Sequence, residues 1–217
     1  GENRGAVRET DGNSDIILAT SDGMAIRFEE GQARSMGRTA RGVRGISLGE
    51  GQKVVGMVVV SEKDETATLL SVTENGYGKR TPLADYRPQG RGGKGLITIK
   101  CSERNGPLMA IRDVHPGEEL MVITRGGIMI RIALDEVSEQ GRNTQGVRII
   151  NLNEGDLVAS IAKISREELS REELSRADAE AAAAAARGAR RPAELDEDFV
   201  EDEDALDDEA PPEDDEE

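Results

Sequence analysis

Three landmarks recur along this 217-residue chain at the same two intervals. Gly23, Gly76 and Gly127 each sit between apolar runs, 53 and then 51 residues apart. Gly37-Arg38 followed by Gly42 returns as Gly90-Arg91 with Gly95 and as Gly141-Arg142 with Gly146, and Arg27, Arg80 and Arg131 keep the same spacing. A chain with this period builds one supersecondary unit several times and buries each copy against its neighbours.

Each unit reads as strands. Ile16 to Thr20, the turn Ser21-Asp22-Gly23 and Met24 to Phe28 make a hairpin pattern, with Asp-Gly supplying the positive φ that tight turns need. Asn75-Gly76 and Gly126-Gly127 do the same in the next units. In Ile128-Met129-Ile130-Arg131-Ile132 the isoleucines alternate onto one face and the arginine onto the other. After each glycine motif comes a third apolar stretch (Val43 to Leu48, Leu96 to Lys100, Val147 to Leu152) and then a fourth, as in Val54 to Val60 and Val158 to Ile164. The expected fold is all-β, a propeller-like disc of about 50-residue blades with four strands each, covering residues 1–164. Gly5 to Gly23 aligns without a gap on Met109 to Gly127, so Ala6 to Thr10 is expected to be the closing strand of an earlier unit, with an open strand edge there. Together with the initial Gly1, this predicts that the chain is the back end of a longer array.

Beyond Ile164 the pattern changes. Ser165-Arg166-Glu167-Glu168 is a capping box, Arg-Glu-Glu-Leu-Ser occurs twice, and an alanine run follows. Residues 165–193 are expected to form a mostly solvated helix. Residues 194–217 hold 16 carboxylates and no Lys or Arg, and should be disordered. That tail accounts for the whole net charge of -16, since residues 1–164 carry 22 acids and 22 bases. The body is neutral and the acidity is local.

Composition excludes several classes. The longest apolar run, Val54 to Val60, is too short to cross a bilayer. A single cysteine permits no internal disulfide, and one Cys with one His are too few for a usual zinc site. No metal or catalytic residue is expected. His115, beside Pro116-Gly117, reads as a plain loop histidine, Cys101 as a buried small hydrophobe on a strand, and Tyr77 as a packing residue that could also contact DNA. No Walker-type phosphate loop is present.

Within the neutral body, charge alternates along the chain. Residues 25–46 carry five bases and two acids, residues 79–104 seven and two, and residues 125–148 four and three, while the stems between them are acidic. Stacking the units places the basic segments on one edge, as expected of a phosphate-backbone binder. One such loop alone would read as a solvated turn; its threefold recurrence with arginine at a fixed place argues for contact. The expected DNA contacts are Arg27, Arg38, Arg41, Arg44, Lys79, Arg80, Arg91, Lys94, Arg131, Arg142 and Arg148.

Glu74-Asn75-Gly76-Tyr77-Gly78-Lys79-Arg80-Thr81, Glu103-Arg104-Asn105-Gly106, Gly141 to Val147 and Gly42 to Ile46 resemble the C-terminal β-pinwheel of the bacterial DNA gyrase A subunit. The resemblance covers residues 5–164 and implies the last three blades of a disc that usually has six. It implies that double-stranded DNA bends around a positive rim without its bases being read. It also implies that negative supercoils are introduced with ATP and Mg2+ bound by a B subunit, in a cytoplasmic A2B2 assembly. Gln89-Gly90-Arg91-Gly92-Gly93-Lys94-Gly95 is similar to the family's glycine–arginine box except at Gly90, where the family has arginine. The full box and the strand-passage tyrosine would lie upstream. The rivals are the corresponding C-terminal domain of topoisomerase IV, against which the box-like motif argues, and a propeller-like protein-interaction scaffold.

Overall fold

The computed structural model describes residues 7–61, 64, 66–173, 175, 176 and 179. Among them run β1 (Ser14–Thr20), β2 (Met24–Glu29), β3 (Val54–Ser61), β4 (Thr68–Thr73), β5 (Tyr77–Pro82), β6 (Leu96–Ile97), β7 (Leu108–Val114), β8 (Glu119–Thr124), β9 (Met129–Ala133), β10 (Val147–Arg148) and β11 (Val158–Ile164). The expectation of an all-β repeat holds. Gly23, Gly76 and Gly127 take φ of 86°, 78° and 84° at the tips of hairpins β1–β2, β4–β5 and β8–β9. Each tip is closed by its own N–H donating to the carbonyl of Thr20, Thr73 or Thr124, at 3.0 to 3.1 Å.

Those threonines are a repeat feature in their own right. All three are buried at the mouth of the turn, and each hydroxyl bonds the backbone of the opposite strand: Thr20 to Met24 O, Thr73 to Tyr77 O, and Thr124 from Ile128 N. The ladder to the closing strand slips beside each of them, between Ala19 and Thr20, between Val72 and Thr73, and opposite Thr124. Short 3-10 turns at Glu30–Gln32, Leu83–Asp85 and Leu134–Glu136 follow each hairpin at the same 53 and 51 spacing.

Sheet composition differs from the expected self-contained blade. The first sheet runs β3-β1-β2-β6 and the second β7-β4-β5-β10, while the third is β11-β8-β9 alone. The strand after the glycine motif therefore completes the sheet of the preceding unit and leaves its own. It is also only two residues long, because the chain turns away after Ile97 and after Arg148. Residues 43–48 form no strand, and among the described residues there is no earlier sheet for them to join. Of the expected strand at Ala6 to Thr10, Ala6 lies outside the described residues and residues 7–10 form no strand. Closing strands pair only with the first hairpin strand of their own unit, and the described residues 7–10 are exposed and irregular.

The cores lie between successive sheets. Ile17, Val58, Leu69, Leu83, Tyr86, Ile99, Leu108 and Ile111 fill the first gap, and Leu70, Val72, Val114, Leu120, Val122, Leu134, Ile150 and Ile161 the second. Leu69 and Leu70 point to opposite faces of β4, so this central strand is buried along its whole length, whereas β8 alternates. Each fully buried Leu or Ile contributes about 1.5–3 kcal/mol, and the core is aliphatic apart from Phe28, Tyr77 and Tyr86.

The described residues up to Glu172 belong to one compact unit. A helix begins at residue 166. The capping box closes as expected: Glu168 N donates to Ser165 Oγ at 3.3 Å, and Glu168 Oε2 accepts from Ser165 N at 2.8 Å. The backbone and side-chain donors of Ser165 hold the Glu168 carboxyl below its ordinary range. The remainder of the expected helix and the acidic tail lie outside the described residues.

Candidate nucleic-acid interface

The three glycine–arginine loops are brought into one row. Gly92 N donates to Gly45 O at 2.6 Å, Ser47 N to Gly93 O at 2.8 Å, and Arg91 Nη1 to Arg44 O at 3.1 Å, joining the first loop to the second. Lys100 N donates to Thr144 O at 2.8 Å and Arg142 Nη1 to Ile97 O at 3.3 Å, joining the second segment to the third. The strand exchange causes this alignment, because the second and third loops are each fastened to the hairpin of the unit before them. Gly95 and Gly146 take φ of 78° and 76°, and a side chain on either would run into a backbone carbonyl of that hairpin, Ala25 O or Gly78 O. Gly42 has the same conformation, φ 81°, with nothing within 4 Å.

The expected contact residues divide by what their charge already touches. Arg38, Arg41, Arg44, Arg91, Lys94 and Arg148 are exposed and Arg142 is half-buried. None of the seven is ion-paired among the described residues. Arg91 is oriented by neutral groups only, its Nε donating to Gln32 O at 3.0 Å. Such cations keep their full charge for an anion.

Four expected contacts are placed otherwise. Lys79 is fully buried, and its ammonium donates to Gly141 O, Arg142 O and Thr144 Oγ1 at 2.6, 2.6 and 3.0 Å, which fastens the third loop from beneath. Burial, with Arg142 adding repulsion, lowers its pKa to about 8. Arg27 is held by Asp15 at 2.6 Å and donates to Leu83 O at 3.1 Å in the next unit. Arg80 Nε donates to Val137 O at 2.8 Å, again in the next unit. Arg131 is paired with both Glu119 and Glu172, which raises its pKa further. Arg27 and Arg80 staple blade to blade, and Arg131 is neutralised. In the box-like segment, Gly90, Arg91 and Lys94 are exposed, Gly92, Gly93 and Gly95 are half-buried, and Gln89 faces the joint, its N donating to Arg27 O at 2.8 Å.

Alternation could have revealed Lys79, which shares a face of β5 with the buried Tyr77 and Thr81. Arg104 and Lys100 are exposed cations that the repeat did not single out, because the other units lack them, and exposed Arg87 is matched only by Arg34 in the first unit. Arg104 and Arg148 both lean on Tyr77, with guanidinium carbons 5.1 and 5.5 Å from its ring centroid. His115 is more than a loop histidine, since its Nε2 meets Asp64 Oδ2 at 2.6 Å and its Nδ1 lies 3.6 Å from Glu118. That hydrogen bond lowers the Asp64 pKa. Cys101 lies off the strands and is half-buried, and burial raises its pKa. No helix among the described residues is long and apolar enough to cross a membrane.

Comparison with known proteins agrees with this architecture. The family described as "DNA gyrase C-terminal domain, beta-propeller" matches residues 14–61, 67–112 and 118–165, one match per unit from hairpin to closing strand. The DNA gyrase A subunit of Staphylococcus epidermidis (strain ATCC 12228 / FDA PCI 1200) is 48% identical over 163 residues, covering 75% of this chain and 18% of that relative. The DNA gyrase A subunit of Staphylococcus aureus (strain MRSA252) is 46% identical over 162 residues, with the same coverage. The chain thus spans less than a fifth of the length of these relatives. A solved structure, "Crystal structure of the C-terminal domain of DNA topoisomerase IV", shares the fold with a TM-score of 0.69 at 21% identity, covering 77% of this chain and 52% of that one. With each of its three units matched in turn, the chain belongs to the DNA gyrase C-terminal domain family of β-propellers.

Proposed function

We propose that the chain is a DNA-binding and DNA-wrapping region of the gyrase A subunit, part of a cytoplasmic type II topoisomerase that introduces negative supercoils at the expense of ATP. The observation that carries this reading is the continuous row of three glycine–arginine loops whose exposed cations have no carboxylate partner among the described residues. Glycine lets the loop backbone approach a phosphate closely, and unpaired guanidiniums replace the counterions that the duplex gives up. Because the row crosses both blade joints, a duplex following it must curve, and affinity is then set by phosphate contacts and bending energy. In the whole protein the reading places ATP and Mg2+ on the B subunit, with A2B2 assembly through parts of the gyrase polypeptide outside this chain. Base-specific chemistry and strand cleavage are assigned to none of its residues.

The test is binding to duplexes of increasing length at several salt concentrations. Affinity should rise with length until the row is spanned, and fall with salt at a log–log slope of about -0.9 per phosphate contacted. A protein-interaction scaffold would show neither trend. Length-independent or salt-independent binding would sink the reading.

A further inference from the structure

Tyr77, Arg104 and Arg148 meet at the joint of the second and third units, a juxtaposition that the sequence repeat does not anticipate. The ladder pairs Arg148 with Tyr77 across β10 and β5, whereas the same rung of the preceding joint pairs Ile97 with Met24 across β6 and β2. Arg104 corresponds to Gly51 and Gly155 in the neighbouring units, so neither has a side chain there. At one place in the array an apolar rung has become cationic.

The geometry is that of a prepared anion seat. Arg104 Nε and Arg148 Nη2 both donate to the Tyr77 hydroxyl, at 3.3 and 3.1 Å. Tyr77 itself is 4% exposed, while both arginines are exposed and neither is ion-paired among the described residues. Two like charges held side by side repel, and a neutral phenol oxygen offsets only part of that repulsion. The two N–H donors, Arg148 first, pull the Tyr77 pKa below its ordinary range. Each arginine spends one of its five N–H groups on the phenol, and no other described residue accepts the rest.

Both guanidiniums also stand on fixed backbone. Asn75 Nδ2 donates to Glu103 O and Arg104 O, each at 3.2 Å. Asn105, fully buried, donates to Lys100 O at 3.0 Å and to Gln145 O at 3.1 Å, tying the Arg104 turn to the third glycine loop. Arg148 is held in the β10–β5 ladder. By contrast, the exposed side chains of Arg38 and Arg41 have no hydrogen-bond partner among the described residues. Ordering two arginines beforehand removes an entropic cost that binding would otherwise carry.

We propose that Tyr77, Arg104 and Arg148 form a seat for one phosphate group of a duplex DNA backbone, with Tyr77 as the positioning residue. This rests on the DNA-binding reading above. A tetrahedral phosphodiester presents two free oxygens, one to each guanidinium, and the phenol sets the spacing between them. The seat fixes the register of the duplex at this joint, while the loops on either side follow it more loosely.

Tyr77→Phe keeps the ring, the net charge and every cation, and removes only the hydroxyl. On the 217-residue chain it should weaken binding to a duplex about three- to tenfold with the salt slope unchanged. In Arg104→Ala/Arg148→Ala it should change nothing further, and a melting curve checks that each variant folds. The chain has two tyrosines, so ring-labelled tyrosine NMR gives a second readout. DNA should shift the Tyr77 resonance and leave that of the enclosed Tyr86 in place. Inorganic phosphate alone should shift the same resonance only at millimolar concentration or above. Equal DNA affinity of wild type and Tyr77→Phe would overturn the seat while leaving the DNA reading intact. Failure of the wild-type chain to bind DNA would overturn the DNA reading itself. A Tyr77 response to phosphate with none to DNA would reassign the seat to a free anion.

Discussion

Gly42, Gly95 and Gly146 occupy the same place in the repeat with φ of 81°, 78° and 76°, yet differ in what surrounds them. This makes alanine at each an internally controlled measurement of the blade joint. The positive φ costs alanine about 1–2 kcal/mol, and the stiffer unfolded chain returns about 0.4–1 kcal/mol. Both terms are common to the three sites. At Gly42 no atom lies within 4 Å of the added methyl, so Gly42→Ala should cost about 0–1.6 kcal/mol. At Gly146 the methyl would stand 2.8 Å from Gly78 O, and at Gly95 closer still to Ala25 O. Those atoms are backbone, and forcing the joint apart adds about 1–3 kcal/mol. Stability should therefore fall in the order Gly42→Ala, Gly146→Ala, Gly95→Ala. Urea unfolding at fixed temperature reads the free energies, and thermal melts should separate the variants by about 2–4 °C per kcal/mol. Equal losses at all three sites would mean that the motif serves turn geometry alone, and the account of the joint would be wrong.

Three further outcomes are expected. Lys79 has a pKa of about 8 when folded against 10.5 in the free side chain. Between those values the unfolded chain holds a proton that the folded chain has released, so stability gains as pH rises. Relative to Lys79→Met, wild type should gain about 2 kcal/mol between about pH 7 and about pH 9.5, and urea titrations giving a flat difference would refute the buried, depressed ammonium. In DNA titrations Arg91→Ala should lower the salt slope by about 1. Arg80→Ala should lower thermal stability and leave the slope alone, and the reverse pattern would exchange their roles. Removing residues 194–217, which carry a charge of -16, should tighten DNA binding at low salt if the tail competes for the cationic loops; unchanged affinity would leave the tail no part in binding.

The hairpins were legible because Asp-Gly, Asn-Gly and Gly-Gly leave little conformational choice, and the capping box because its two partners lie three residues apart. The exchange of strands between units was not. Leu96-Ile97 has the same composition whether it pairs within its unit or with the one before, and periodicity is blind to a shift of one whole repeat. Arginine roles were hidden for a related reason. Arg27, Arg80 and Arg131 recur as faithfully as Arg38, Arg91 and Arg142, and recurrence marks a shared position without telling whether it faces a neighbour or solvent. Asp15 and Glu119, the partners of Arg27 and Arg131, lie 12 residues away across each hairpin, a pairing that follows only once the ladder register is known. Tyr77 and Arg104 were obscure because a search for repeats discards what occurs once.

The borrowed outer strand also sets a timetable for synthesis. β2 ends at Glu29, and the residues that cover its edge, Leu96–Ile97, emerge from a ribosome about 70 residues later. At translation rates of about 5–20 residues per second that is a delay of several seconds. The second blade waits likewise, with β5 unpaired until β10 is made, so nascent chains on a crowded message present the same complementary edges to one another. A codon-dependent pause between residues 29 and 96 lengthens that exposure, and one after residue 97 does not. The fold therefore makes the yield of the first blade depend on the pace at which the second is read.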